Sequence, residues 1–191
     1  MKRVLLLGTI FWSIYAQAQS DYKVGIKLGG GYAHDFPGMN GNAVHIEGYF
    51  PFFKKMEGAI GLKNISITGM PRTKEVEEYT KANTVDFSIY YLPIATDRST
   101  LRIGLGYSFI GYSIRRTYPA PTNTDPTTPV QTQSYNWPKV DTKSRTSGSI
   151  VVVEYAYRIG KLPLSIGARA AYYKAYDGVS FVGGFLQYEI N

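Results

Sequence analysis

From residue 22 to residue 190, large apolar side chains alternate with small or polar ones in one short run after another. YKVGIKLGGGY (22–32) sets Val24, Ile26, Leu28 and Tyr32 against Lys23, Gly25, Lys27 and Gly29. Successive side chains of an extended chain point to opposite faces, so such a run predicts a strand with one apolar and one polar face. The pattern returns in AVHIEGYF (43–50), NTVDFSIYYLPI (83–94) and LRIGLGYSFIGYSIRR (101–116), and then in SIVVVEYAYRI (149–159), LSIGARAAYYK (164–174) and SFVGGFLQYEI (180–190). EGAIGLKNISIT (57–68) begins in the same way with Ile60 and Leu62 but loses phase near Asn64. That loss predicts a bulge, or the point where the strand leaves apolar surroundings. No run carries the 3.6-residue period of an amphipathic helix. The expectation is eight long strands.

The connections differ in length. Residues 51–55, 95–100 and 160–163 are short links, whereas 33–42, 69–82 and 115–147 are longer, with 175–179 the exception. Three architectures share period 2: a soluble calyx with the apolar set inward, a sandwich, and a membrane barrel with the apolar set outward. Strands of about ten residues match a tilted membrane crossing, whereas soluble strands centre on about five or six. Aromatics fall at both ends of the runs: Phe50, Tyr91, Tyr157 and Tyr188 near the short links, Tyr32, Tyr107, Phe109 and Tyr172 near the longer ones. Two girdles at the two headgroup levels are what a transmembrane barrel requires. The fold predicted is an all-β, eight-stranded antiparallel up-and-down transmembrane β-barrel.

In such a barrel the small or charged face must be the interior, too narrow for a channel and filled by side chains. Lys27, Glu47, Asp86, Arg102, Glu154, Arg158 and Arg169 then form a lumen charge network, since unpaired charges there carry a large desolvation cost. One pairing follows from the link at 160–163, which sets Glu154 opposite Arg169, with Arg158 and Lys27 as neighbours.

The amino terminus changes the expected location. MKRVLLLGTIFWSIYAQAQS has Lys2 and Arg3, an apolar run too short to span a bilayer, and an Ala16-Gln17-Ala18 site, so residues 1–18 read as a cleaved signal peptide. Residues 19–191 are then one barrel domain, both termini lie in the periplasm, and the outer membrane is the predicted location. With Cys 0 there is no lipid anchor, disulfide or thiolate chemistry. The formal charge of +7 falls to about +5 once Lys2 and Arg3 are removed, and no basic run stands beside aromatics. Nucleic acid is therefore a poor partner, and membrane lipids and lipopolysaccharide are better ones.

The signal ending AQAQS, YKVGIKLGGGY, YYLPIATDRSTLRIGLGYSFIGY, IGARAAYY with inward Arg169, and the terminal GGFLQYEI carry a resemblance. The chain resembles the small bacterial outer-membrane β-barrel domain family, the group with PorT-like proteins, akin in architecture to OmpX and OmpW. Members often carry an aromatic after the arginine of the seventh strand and at the last position, where this chain has Ala170 and Asn191. The resemblance implies other outer-membrane proteins as partners and, for PorT-like members, a place in a larger envelope machine.

Little else points to chemistry. His34-Asp35 at a rim is where a lipid-modifying enzyme could place a histidine beside a serine, but no serine stands at defined spacing. His45 beside Glu47 reads as part of the lumen, two distant histidines make no metal site, and KEVEEY (74–79) reads as a solvated acidic loop. No cofactor or metal is expected. The loop 115–147, rich in proline, cannot extend a sheet, should be mobile, and offers Tyr118, Tyr135 and Trp137 as external contacts. The function expected is that of a non-enzymatic structural or interaction protein acting through external loops. The alternatives are an accessory subunit of an outer-membrane assembly or secretion machine, a lipid-modifying outer-membrane enzyme, and a soluble periplasmic binding barrel.

Overall fold

The computed structural model of the chain describes residues 24–35, 37–70, 77–117, 140–175 and 178–190. Eight strands, β1 (Val24–Asp35), β2 (Asn40–Phe53), β3 (Met56–Gly69), β4 (Glu77–Ala95), β5 (Ser99–Thr117), β6 (Val140–Arg158), β7 (Leu164–Lys174) and β8 (Val179–Ile190), follow in chain order. Each pairs antiparallel with the next, and β1 pairs with β8, so the sheet closes on itself and leaves no edge. The signal segment 1–18 and the contact candidates Tyr118, Tyr135 and Trp137 lie outside the described residues.

Alternation translates directly into sides of the wall. Leu28, Leu105 and Val182 are more than 60% exposed on the outside, while Lys27, Glu154 and Arg169 on the opposite parity are at most 2% exposed. A belt of Val, Ile, Leu and aromatic side chains facing outward around a charged interior is stable only against lipid, because in water the same surface would drive association. This excludes the soluble periplasmic barrel, whose apolar set would face inward.

Several strands run farther than hydrophobic periodicity implied. β4 begins at Glu77 rather than near residue 83, and β6 at Val140 rather than near residue 149. The stretch 115–147 is therefore not one loop: residues 115–117 continue β5, and residues 140–147 are strand paired with 109–116. Likewise 33–42 is not a long connection, because β1 and β2 reach to Asp35 and Asn40 and leave a tight turn in which Gly38 adopts φ 99°. Tyr79 apart, the outward side chains described in the added segments are polar, so no apolar alternation marks them.

The loss of phase in β3 has the second of its two explanations. β3 keeps an unbroken register with both neighbours past Asn64, and the ladder irregularities lie instead at Pro51/Phe53 and Tyr91/Ile94. What changes is the amphipathicity: beyond Leu62 the outward residues are Asn64 and Ser66, and Ile65 and Ile67 turn into the interior, buried. β4 and β5 do the same, with Asn83 and Lys81 outward over inward Ala82, and Gly111 and Ser113 outward over inward Ile110 and Ile114. The upper barrel is thus polar outside and apolar inside, the reverse of the part below it.

Candidate functional site: the charged lumen and the outward cationic wall

At mid-height four ionised groups from four strands meet inside the barrel. Lys27 Nζ of β1 lies 2.7 Å from Glu47 Oε1 of β2 and 2.6 Å from Glu154 Oε2 of β6. Arg169 Nη1 of β7 lies 2.7 Å from Glu47 Oε2 and 3.0 Å from Glu154 Oε1. Glu154 and Arg169 are also direct cross-strand partners. Two cations and two carboxylates alternate, so the cluster is neutral, which offsets the desolvation of each member. Tyr90 of β4 completes it: its hydroxyl donates toward Glu47 Oε2 at 3.1 Å, and Lys27 Nζ stands 4.6 Å from its ring centre. Lys27, Glu47, Tyr90, Glu154 and Arg169 are each at most 2% exposed, so the cross-section here is filled.

The other lumen candidates do not join this cluster. Arg102 stands opposite Glu154 in the β5–β6 ladder, but its guanidinium turns to Glu57 of β3, with Nε 2.6 Å from Oε2. Asp86 forms a separate node: it accepts from Ser108 Oγ and from the Tyr173 hydroxyl, both at 2.7 Å, and Lys63 donates to that same hydroxyl. Arg158 is not a neighbour of the Glu154–Arg169 pair; half-buried at the end of β6, it pairs with Glu189 of β8. Barrel shear brings side chains together across several strands, which cross-strand arithmetic does not reach. Lys63, Glu57, Tyr90 and Tyr173 were missed, although their parity on the polar face was visible in the alternation.

Both ring nitrogens of buried His45 lack a hydrogen-bond partner, and its ring meets Phe181 edge-on at 5.7 Å. Among the described residues no group of His, Asp and Glu could hold a metal ion. Glu77–Tyr79 are not an acidic loop but the start of β4, where buried Glu78 pairs with Arg116 at 2.7 Å. His34 faces outward, with Nδ1 2.7 Å from Asn40 Oδ1, and across β1–β8 its partner is Ser180, far away in the chain and hence invisible to local spacing.

Among the described residues, cations gather at one place on the outer wall. Cross-strand pairing aligns Lys81, Ser113 and Lys143 in one row and Asn83, Gly111 and Arg145 in the next. These six line an outward cleft of about 410 Å³. Gly111 has open space where a side chain would stand, which gives the cleft its floor. One row below come Val85 and Phe109, and Phe109 meets Phe87 and Tyr107 edge-to-face at 6.2 and 5.3 Å. The cationic cleft therefore sits directly above an aromatic girdle, at the depth of lipid headgroups.

No protein-family model matches the chain, and no curated protein does. Solved structures do. The chain is similar to Ail, the attachment invasion locus protein of Yersinia pestis, in complex with the heparin analogue sucrose octasulfate: 9% identity, TM-score 0.57, covering 89% of this chain and 99% of that one. It is similar to Neisserial surface protein A, with 11% identity, TM-score 0.54 and 88% and 97% covered. A major outer membrane protein from Thermus thermophilus gives 12% identity, TM-score 0.58 and 88% and 99% covered. At such identities the likeness carries the fold: the chain is a closed eight-stranded antiparallel barrel of the kind that these outer-membrane proteins share.

Proposed function

We propose that this protein is a non-enzymatic interaction barrel of the bacterial outer membrane, exported by residues 1–18, with both termini in the periplasm. Its wall grips phosphorylated or sulfated saccharide, foremost the lipopolysaccharide of the outer leaflet. The observation that carries this is the cluster of Lys81, Lys143 and Arg145 around the bare Gly111 floor, immediately above Phe109. Three cations on β4 and β6, the strands either side of β5, match clustered anionic groups, and the glycine admits a bulky headgroup between them. The polysulfated sugar bound to Ail supports the reading by analogy of fold. Tyr118, Tyr135 and Trp137 would add contacts from outside. The test uses the barrel in phospholipid nanodiscs titrated with purified lipopolysaccharide. The triple variant Lys81→Gln, Lys143→Gln, Arg145→Gln should bind roughly tenfold more weakly at low salt. Equal binding by the variant, or affinity independent of salt, would overturn the proposal.

A second reading has its own observation. His34, held through Nδ1 by Asn40, faces Ser180 across the strand pair on the outer wall, a pairing open to acyl-transfer chemistry on lipid. Replacing His34 by alanine with no change in the lipid A or phospholipid profile would remove it. The PorT-like resemblance adds a third, a subunit of a larger envelope machine. The aromatic wall of Phe87, Tyr107 and Phe109 suits that reading, and a stoichiometric companion in mild-detergent pull-downs would establish it.

A further inference from the structure

The end of the barrel away from the cationic cleft carries the turns β2–β3, β4–β5 and β6–β7. Each turn is fastened to the strand that follows its hairpin. The Leu92 amide of β4 donates to the Lys55 carbonyl at 2.9 Å, and the Arg158 amide of β6 and the Glu189 amide of β8 donate to the carbonyls of Arg98 and Pro163, both at 2.8 Å. Thr96 closes the middle turn, its Oγ1 accepting from the Ser99 amide at 2.9 Å. The three turns are thus held as one rim and not as three free tips. Lys54, Lys55, Arg98 and Lys161 stand exposed on it. None of these four side chains has an ion pair or hydrogen bond within the protein, and Asp97, the carboxylate of the middle turn, pairs with none of them.

Apolar side chains share the same turns. Phe53, Ile94, Ile159 and Leu162 are each at least 40% exposed. Two of them face outward because of the ladder irregularities. The shift between Pro51 and Phe53 pairs Phe53 with Met56, and the shift between Tyr91 and Ile94 pairs Ile94 with Leu101, which puts both on the outward parity of their partners. Bulges re-aim single side chains in this way, and here they continue the lipid-facing wall at and beyond the level of Tyr91 and Tyr157. Cations without protein partners, interleaved with exposed apolar groups, suit a bilayer interface: the apolar groups enter the acyl boundary, and long stems lift the charges to the headgroups. A partner in the aqueous phase would match the cations but leave Phe53 and Leu162 in water.

We infer that this rim is a docking surface for anionic phospholipid headgroups, with their phosphates against Lys54, Lys55, Arg98 and Lys161 and their upper acyl segments against Phe53, Ile94 and Leu162. The rim lies at the opposite end from the cleft of Lys81, Lys143 and Arg145, so the inference does not rest on the saccharide reading. The test places the full barrel in phosphatidylcholine bilayers and compares how strongly spin-labelled phosphatidylglycerol and spin-labelled phosphatidylcholine are immobilised at the protein. It is run in the Lys81→Gln, Lys143→Gln, Arg145→Gln background, so that the other end contributes nothing. Phosphatidylglycerol should be preferred roughly threefold at low salt, and the preference should fade as salt rises. Adding Lys54→Gln, Lys55→Gln, Arg98→Gln and Lys161→Gln should bring the two lipids level, whereas Lys54→Arg, Lys55→Arg and Lys161→Arg, which keep the charge, should preserve the preference. Absence of a preference in the cleft-silenced barrel, or a preference that survives the glutamine substitutions at the rim, would overturn the inference. Rim-dependent sedimentation with peptidoglycan sacculi without any headgroup preference would overturn it too, in favour of a cell-wall polymer.

Discussion

Gly104 is bare because the Tyr90 ring lies where a side chain would go: a Cβ there would stand 2.6 Å from ring carbons Cδ1 and Cε1. That ring in turn must stay in place to bring its hydroxyl to Glu47. Gly104→Val should destabilise the barrel by about 1–3 kcal/mol in denaturant titrations, as overpacking does, and the loss should shrink in the Tyr90→Leu background. Within the four-group cluster, Glu47→Gln leaves Lys27 and Arg169 to share Glu154 in a dry interior. A cost of about 3–5 kcal/mol is expected, larger than for the rim variant Glu189→Gln, whose partner Arg158 remains half-open to water. Equal costs at the two sites would mean that the centre is wetter than its burial implies. At this scale the sequence showed which residues are charged and which way they point, and even one correct contact, Glu154–Arg169. It did not show that Arg102 reaches Glu57 or that Lys63 reaches Tyr173, because those contacts cross several strands.

An element such as β5 is two surfaces joined end to end. Leu101 to Phe109 meets lipid, whereas Gly111 and Ser113 stand beside Lys81, Lys143 and Arg145 above it. Leu105→Arg, at mid-belt, should cost about 2–4 kcal/mol of folding free energy into bilayers, while Ser113→Arg should cost only the repulsion of Lys81 and Lys143 beside it, about 0.2–1 kcal/mol. Similar penalties at both positions would refute this division of the strand. β3 shows why the lower half of such an element is easier to read than the upper. Ile60 and Leu62 announce themselves by alternation, but Ile65 and Ile67 keep period 2 on the other parity, and along the sequence this resembles a bulge. The solvent outside the strand changed from lipid to water; the backbone did not. The start of β6 was illegible for the same reason, since Thr142 to Ser149 has no apolar face to announce it.

For the whole molecule, closure and filling have a functional consequence. Five side chains, each at most 2% exposed, occupy one level of the lumen, so planar bilayers containing the purified protein should show no steady conductance. Stable single-channel steps would show that the plug opens. The sequence by itself determined the class of this object: alternation of outward apolar with inward small or charged residues, repeated eight times over lengths suited to a membrane, admits few folds. It also fixed inward and outward for nearly every residue of the belt, because parity along a strand is a local property. Tertiary structure alone decided what depends on the height of one strand relative to another. Shear and strand extension set which charges meet, made the tight β1–β2 turn and the long β5–β6 ladder, aligned three cations over a glycine, and left an apolar cavity above a packed one. No single strand encodes those juxtapositions, since each needs groups brought together by closing the sheet.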